Sequence, residues 1–274
     1  MRFELWTKLS IATFLLSSWS SSRQDAVLFA TALQFPGIPP PVPTASARAV
    51  VGSGDDGVLL FDRMKTIELT SVSTGRSEYL TDRWRNKELL PFRNQICVIE
   101  FLRHFGWVFC WERAVQLQRE VLPALQAQDI PLLVVGIGSV DSGRTFADQL
   151  QFPSDVLFVD TTEQTRAYET LATRNSQRDP DTGKQIFEGI ESMWSPATTE
   201  ALEDRGKDDL DAIVGKPLLF QPGPYKPLMP ANIEATLVQG ASFVFDGKKN
   251  ILAHYDESSG AHVTIEELLE AALS

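Results

Sequence analysis

The sequence predicts an α/β fold in which a central mixed β-sheet is flanked by helices. Continuous apolar runs, typical of strands buried on both faces, alternate with segments whose apolar residues recur at helical spacing. Near the end of the chain, two more apolar runs are separated by an Asp-Gly pair, which is a hairpin signal, and a helical pattern follows them. A βαβ order followed by two strands and a helix is typical of one sheet with helices on both faces.

The elements predicted before residue 173 alternate regularly. Residues 67–72 alternate polar and apolar side chains like a half-buried strand, and a turn follows at Thr74 and Gly75. Residues 96–102 form a nearly continuous apolar strand. Residues 109–128 have helical spacing, and Pro123 is expected to bend that helix. The same alternation continues with a strand at 131–138, a helix at 141–150, a strand at 156–159 and a helix at 163–172.

Residues 173–235 break this alternation and are predicted to be an insertion of loops and short helices. They contain an acidic patch at 203–211 and several prolines between 217 and 230. Regular structure returns with a hairpin formed by residues 241–245 and 251–255. The last helix, at 264–273, is expected to begin with a capping box formed by Thr264 and Glu267.

The first fifty residues differ in composition from the rest of the chain. Glu4 and Asp25 are their only acidic residues, serine is dense at 17–22, and proline is dense at 36–43. The apolar stretch at 9–19 is too short to span a bilayer as a helix. We therefore predict a targeting sequence at 1–50, a linker at 51–57 and a folded domain at 58–274. Because serine and proline outweigh arginine, a plastid is the favoured destination; a mitochondrion, the secretory pathway and an untargeted tail are the alternatives.

Composition restricts the classes of partner and cofactor. The 274 residues carry a formal net charge of −11, which disfavours binding to nucleic acid or to an anionic membrane surface. Two cysteines cannot form a disulfide scaffold, and three scattered histidines lack metal-ligand spacing, so no metal is expected. A glycine-containing turn at 136–141 follows a strand, but Asp141 would repel a pyrophosphate, so no dinucleotide is expected and Asp141 is predicted to cap the next helix.

Cys110 is the residue with the clearest chemical potential. It lies between a predicted strand and a predicted helix, where the helix dipole and unpaired N–H groups favour a thiolate. Arg103 is the first candidate for a cation that lowers the thiol pKa, and Arg113 is the second. A dithiol motif would need a cysteine at position 107, which is tryptophan. The alternative is that Cys110 is a small apolar residue packed among its aromatic neighbours.

Cys97 is predicted to pack in the core rather than to take part in chemistry. It belongs to the apolar strand, at the end opposite His104. The strand length separates the two ends by more than ~20 Å, whereas a disulfide requires Cα atoms within about 7 Å. Cys97 is therefore a poor resolving cysteine for Cys110.

Several segments resemble the thioredoxin-like superfamily, and specifically its peroxiredoxin-like AhpC/TSA antioxidant family. The resemblance covers roughly residues 60–274 and is weakest in the insertion. It rests on Phe-Leu-Arg-His-Phe-Gly at 101–106 leading into Cys110, and on the segments 134–139, 158–160, 239–241 and 247–263. It implies a thioredoxin-like fold.

The resemblance also implies a function. It implies single-cysteine reduction of peroxides through Cys110, with Arg103 beside the thiol, no cofactor, and an external thiol such as glutathione or a thioredoxin as reductant. The chain departs from the family patterns at Trp107, where relatives carry a cysteine or a threonine. The alternatives are a non-catalytic thioredoxin-like binding module and a thiol-dependent reductase of another organic substrate. The sequence leaves the oligomeric state open.

Overall fold

The computed structural model describes residues 60–83, 96–189, 192, 194–216 and 221–274. These residues all belong to the unit Ala45–Ser274. The predicted targeting sequence at 1–50 and linker at 51–57 lie outside the described residues, so these boundaries stay predictions.

A mixed β-sheet forms the centre of the described fold. The strands are β1 (Glu68–Ser71), β2 (Ser77–Tyr79), β3 (Ile96–His104), β4 (Leu132–Ile137), β5 (Leu157–Asp160), β6 (Gly215–Lys216), β7 (Gln221–Pro222), β8 (Ala241–Asp246) and β9 (Lys249–Tyr255). Seven of them form one sheet in the order β2-β1-β5-β4-β3-β8-β9, and β6 pairs with β7. The inner strands β3, β4 and β5 are parallel, and the outer pairings are antiparallel. The predicted α/β architecture, a central mixed sheet flanked by helices, is confirmed.

The described helices connect and cover these strands. They are α1 (Val108–Gln116), α2 (Leu122–Gln126), α3 (Val140–Leu150), α4 (Arg166–Leu171), α5 (Pro196–Arg205), α6 (Asp208–Val214) and α7 (Ile265–Leu273). The helix predicted at 109–128 is divided into α1 and α2 by a π-helical turn at Leu117–Val121. Pro123 has no N–H to donate, and it lies in the first turn of α2, where a helix tolerates proline.

Two helix starts test the predicted caps. Thr264 and Glu267 form the predicted capping box at the start of α7. Asp141 does not cap α3, and that prediction is wrong. Ser139 precedes the first helical residue in an extended conformation, so its hydroxyl accepts a hydrogen bond from the N–H of Ser142 at 3.0 Å. Asp141 instead lies within the first turn, where its charge is favourable to the helix dipole.

An apolar cluster of buried side chains involves the inner strands. It includes Phe101 of β3, Val135 of β4, Phe158 of β5 and Phe243 of β8. Cys97 belongs to this cluster and is fully buried, which confirms its predicted packing role. Within the part of the chain that the structure describes, no helix has the length and apolar character needed to cross a membrane.

Candidate functional site

Cys110 lies at the strand-to-helix junction that the sequence predicts. Strand β3 ends at His104, a short turn follows, and α1 begins at Val108. Cys110 is the third residue of α1, and its N–H donates to the carbonyl of Trp107 at 3.0 Å. The thiol therefore belongs to the first helical turn, where the dipole favours negative charge.

The insertion covers this junction. A Cβ added at Gly106 would lie 2.7 Å from the backbone carbonyl of Leu228, so only glycine allows the two backbones to approach this closely. The hydroxyl of Tyr225 donates to the carbonyl of Gly106 at 2.8 Å. The ring of Tyr225 also packs edge-on against Trp111, with centroids 5.5 Å apart.

Burial dominates the ionisation of Cys110. The residue is 0% exposed, and burial raises the pKa of its thiol to about 12. The charge of Arg103 and its backbone N–H act in the opposite direction, whereas the charges of Asp256 and Glu100 raise the pKa further. In the described conformation the thiol is therefore protonated at neutral pH, and the activation expected from the helix N-terminus is outweighed by burial.

Arg103, the first predicted cation, acts on the thiol through its charge, which lowers the thiol pKa; its role in the chemistry stays a prediction. It is 2% exposed, and its Nε donates to the carbonyl of Val238 at 3.0 Å. Its two terminal nitrogens donate to the carbonyl of Thr236 and to the hydroxyl of Ser259. The guanidinium also lies over the ring of Trp107, with Cζ 4.6 Å from the centroid. Arg103 is thus fixed in orientation as well as charged.

Arg113, the second predicted cation, pairs with another group. Its Nε donates to Glu100 Oε1 at 2.7 Å, and both side chains are almost fully buried. Its Nη1 donates to the carbonyl of Val263 at 3.0 Å, and Ser242 donates to Glu100 Oε2 at 2.8 Å. Arg113 therefore neutralises Glu100, whose charge would otherwise oppose a thiolate at Cys110 more strongly.

A second ion pair joins α1 to the insertion. Arg205 at the end of α5 donates to both carboxylate oxygens of the buried Glu112, at 3.1 and 2.8 Å. Its third donor reaches the carbonyl of Gly260 at 2.8 Å. The guanidinium lies 5.9 Å from the ring centroid of Phe109, directly beside Cys110 in the chain. We call Arg205, Tyr225 and Leu228 the cover of the site.

Sequence reasoning missed a carboxylate–imidazole cluster after β9. Asp256 lies 2.7 Å from His262 Nδ1 and 3.4 Å from His254 Nε2, and its side chain is 1% exposed. Burial opposes its charge, but the two imidazoles outweigh burial and hold the pKa of Asp256 well below its usual value. The signal was present in the sequence as two histidines flanking one aspartate, which a turn through Gly260 (φ +79°) brings together.

His104 is the buried imidazole nearest to the junction in sequence. It is 1% exposed, and burial together with the charge of Arg103 lowers its pKa to about 3. It is therefore neutral at neutral pH. Its Nδ1 has no hydrogen-bond partner among the described residues. Within those residues, no group of three or more His, Cys, Asp or Glu side chains could hold a metal ion, and Cys97 and Cys110 are free thiols.

The model of the AhpC/TSA antioxidant enzyme family matches residues 116–258 of the chain. This segment is just over half of the chain, and it begins after Cys110. A curated relative is the thioredoxin-like protein AAED1, chloroplastic, of Arabidopsis thaliana. It is 31% identical over 112 residues, which are 41% of this chain and 39% of the relative. The alignment thus spans well under half of the relative's length.

Solved structures of bacterial proteins also resemble the chain. One is peroxiredoxin Q of Xanthomonas campestris, with a TM-score of 0.41, 11% identity, and coverage of 77% of this chain and 90% of that one. Another is the bacterioferritin comigratory protein of the same organism, from a study of its alkyl peroxide reduction, with a TM-score of 0.39, 12% identity and the same coverage.

Proposed function

The chain belongs to the AhpC/TSA antioxidant enzyme family, and from this premise we propose that it is a thiol-dependent peroxidase whose reacting group is Cys110. Family membership supports a thiol oxidoreductase activity. The observation that carries the assignment to Cys110 is the position of its thiol in the first turn of α1, where the charge of Arg103 acts to lower the thiol pKa. Cys97 lies within strand β3 and packs in the apolar cluster, so it lacks the helix-start position that supports the assignment to Cys110.

The proposed reaction uses one thiol of the protein and two external thiols. The Cys110 thiolate attacks the O–O bond of a hydroperoxide, so that an S–O bond forms and the O–O bond breaks. The sulfur is oxidised to a sulfenic acid, and the peroxide is reduced to an alcohol, or to water from hydrogen peroxide. One external thiol then condenses with the sulfenic acid, giving a mixed disulfide and water. A second external thiol attacks this mixed disulfide, which frees the Cys110 thiol and releases a disulfide of the two external thiols. No cofactor takes part.

This reaction requires the cover to move. In the described conformation Cys110 has no exposed surface, and burial holds its thiol protonated. Displacing Arg205, Tyr225 and Leu228 would admit solvent and peroxide and would remove the desolvation that opposes the thiolate. Arg103 and the dipole of α1 would then act on the thiol without that opposition.

A non-catalytic thioredoxin-like binding module is the second candidate function. The observation that favours it is the full burial of Cys110, with a thiol pKa of about 12. Trp107 also favours the binding module, because it occupies the position at which a second cysteine would allow dithiol exchange. Under this proposal Cys110 is a packing residue of α1.

Replacing Cys110 with serine is expected to abolish peroxide reduction, because the hydroxyl is a far weaker nucleophile than the thiolate. Consumption of hydrogen peroxide and of an alkyl hydroperoxide would be followed with glutathione or a thioredoxin system as reductant. Cys97→Ala is the matched control, and it should keep the wild-type rate. Dimedone labelling at Cys110 after peroxide treatment would identify the sulfenic acid. Reaction no faster than that of free cysteine, in wild-type protein, favours the binding module.

We also propose that residues 1–50 direct the protein to a plastid. The acid-poor, serine- and proline-rich composition of this segment supports the proposal, as does the chloroplast location in the name of the Arabidopsis relative. Residues 1–57 fused to a fluorescent protein are expected to accumulate in plastids of plant cells, whereas a fusion to residues 58–274 should not. Accumulation of the first fusion in mitochondria or the secretory pathway would assign one of the alternative destinations.

A further inference from the structure

The segment Asp256–His262, between β9 and α7, contacts both sides of the Cys110 site. Ser259 accepts a hydrogen bond from Arg103, the cation beside the thiol. Gly260 lies so close to Phe109 that an added Cβ would be 3.0 Å from its ring. Ser258 and Ser259 are almost fully buried, and both hydrogen-bond to Thr198 of α5. The conformation of this segment therefore determines where Arg103 is held.

A buried carboxylate at the start of the segment fixes that conformation. The N–H of Asp256 donates to the carbonyl of Gly240 at 3.1 Å, and its side chain packs against the same residue. A Cβ at Gly240 would lie 2.7 Å from Asp256 Oδ2, so this close approach depends on glycine. The same oxygen lies 2.7 Å from Nδ1 of His262, which is the other end of the segment. The pair thus closes the segment into a loop.

Breaking the contact between Asp256 and His262 is energetically unfavourable. A carboxylate that is 1% exposed is costly unless it is paired, and the imidazole of His262 provides the shorter of its two contacts with histidine. The second contact comes from His254, which also hydrogen-bonds to the carbonyl of Ala261 at 3.1 Å inside the loop. Opening the loop would leave the charge of Asp256 without these partners.

We propose that the Asp256–His262 pair is a positioning element for Cys110, which holds the loop that keeps Ser259 on the guanidinium of Arg103 and Gly260 against Phe109. The inference rests on the proposed reactivity of Cys110. The pair acts on the thiol through Arg103. It also acts through the contact between His262 Nδ1 and Asp256 Oδ2, because the charge of that carboxylate opposes the thiolate more strongly when it lacks this partner. Loss of the pair weakens the effect of Arg103 and strengthens the effect of Asp256, and both changes raise the pKa of the Cys110 thiol.

The test compares His262→Ala with His262→Asn in the Cys97→Ala background, which leaves Cys110 as the single thiol. Alanine removes the contact with Asp256, whereas the amide nitrogen of asparagine can replace Nδ1 as a donor. The readout is the rate at which iodoacetamide alkylates Cys110 at neutral and mildly alkaline pH. We expect alanine to slow alkylation about tenfold, which corresponds to a rise of one unit in the thiol pKa, and asparagine to restore most of the rate.

A merely structural role predicts the opposite sign. If the pair only stabilised the fold, His262→Ala would loosen the cover and alkylation would become faster or stay unchanged, and either result overturns the proposal. Ser259→Ala is the second variant, since it leaves the pair intact and removes its contact with Arg103. Ser259→Ala should also slow alkylation. The double variant, His262→Ala with Ser259→Ala, should be no slower than the slower of the two single variants. Additive losses would show that Ser259 acts on the thiol independently of the pair, and would contradict the proposal.

The alkylation readout uses no peroxide, so it separates the two proposals. Wild-type protein that is alkylated with the expected dependence on His262, but that does not reduce peroxides, would contradict the peroxidase function and keep the positioning element. Normal peroxide reduction, together with alkylation that His262→Ala leaves unchanged, would support the peroxidase function and contradict the positioning element. Circular dichroism of each variant would confirm that it is folded before its rate is compared.

Discussion

Replacing Arg113 with methionine is expected to lower the free energy of unfolding by about 3–5 kcal/mol, because it leaves the charge of Glu100 buried and unpaired. The side chains of Glu100 and Arg113 are 1% and 2% exposed, and their closest atoms are 2.7 Å apart. Among the residues that the structure describes, Ser242 would be the side-chain donor left to Glu100, and one neutral hydroxyl does not replace a guanidinium. Urea unfolding followed by circular dichroism measures the change.

Two controls separate charge burial from lost packing. In the double variant Glu100→Leu with Arg113→Met, both charges are absent, so most of the stability should return. The exposed ion pair between Lys65 and Asp62, with both side chains about half exposed, is the surface reference. Lys65→Met should change stability by no more than about 0.5 kcal/mol. If Arg113→Met lowered the free energy of unfolding by no more than Lys65→Met does, the pair of Glu100 and Arg113 would have to be hydrated in solution.

The elements of the fold could be predicted from the sequence because their signals are local. Strand β3 is a run of apolar residues, and α1 has apolar residues at helical spacing, so the junction that carries Cys110 was predictable from a few adjacent residues. The capping box of α7 was predictable for the same reason, since it involves two residues three apart. Pro123 predicted an irregularity in this helix, but the π-helical turn at Leu117–Val121, which lies before the proline, was not predicted.

The environment of Cys110 could not be predicted because the residues that create it are distant in sequence. Tyr225 is 119 residues from the carbonyl of Gly106 to which it donates. Arg205 is 93 residues from Glu112. Burial of the thiol, and hence the direction of its pKa, is decided by such contacts rather than by the helix start alone. The sequence therefore located the thiol correctly, but its protonation depends on tertiary packing.

The role expected of Arg103 stays a prediction, and it leads to the second large effect. Arg103→Met is expected to slow alkylation of Cys110 at least about tenfold, because the charge that lowers the thiol pKa is removed while the opposing charges of Asp256 and Glu100 remain. The variant also removes the donors to Val238, Thr236 and Ser259. Iodoacetamide alkylation in the Cys97→Ala background measures the rate.

Arg103→Lys distinguishes charge from geometry at this position. Lysine keeps the positive charge, but an ammonium cannot reproduce the planar fork that reaches three acceptors from three different residues. If charge alone activates the thiol, the lysine variant should react at the wild-type rate. If the fixed position of the guanidinium also matters, as the contacts with Ser259 and Trp107 indicate, its rate should fall between wild type and Arg103→Met. Equal rates for wild type and Arg103→Met would show that Arg103 serves packing only, and Cys110 would then lack an activating cation in the described part of the chain.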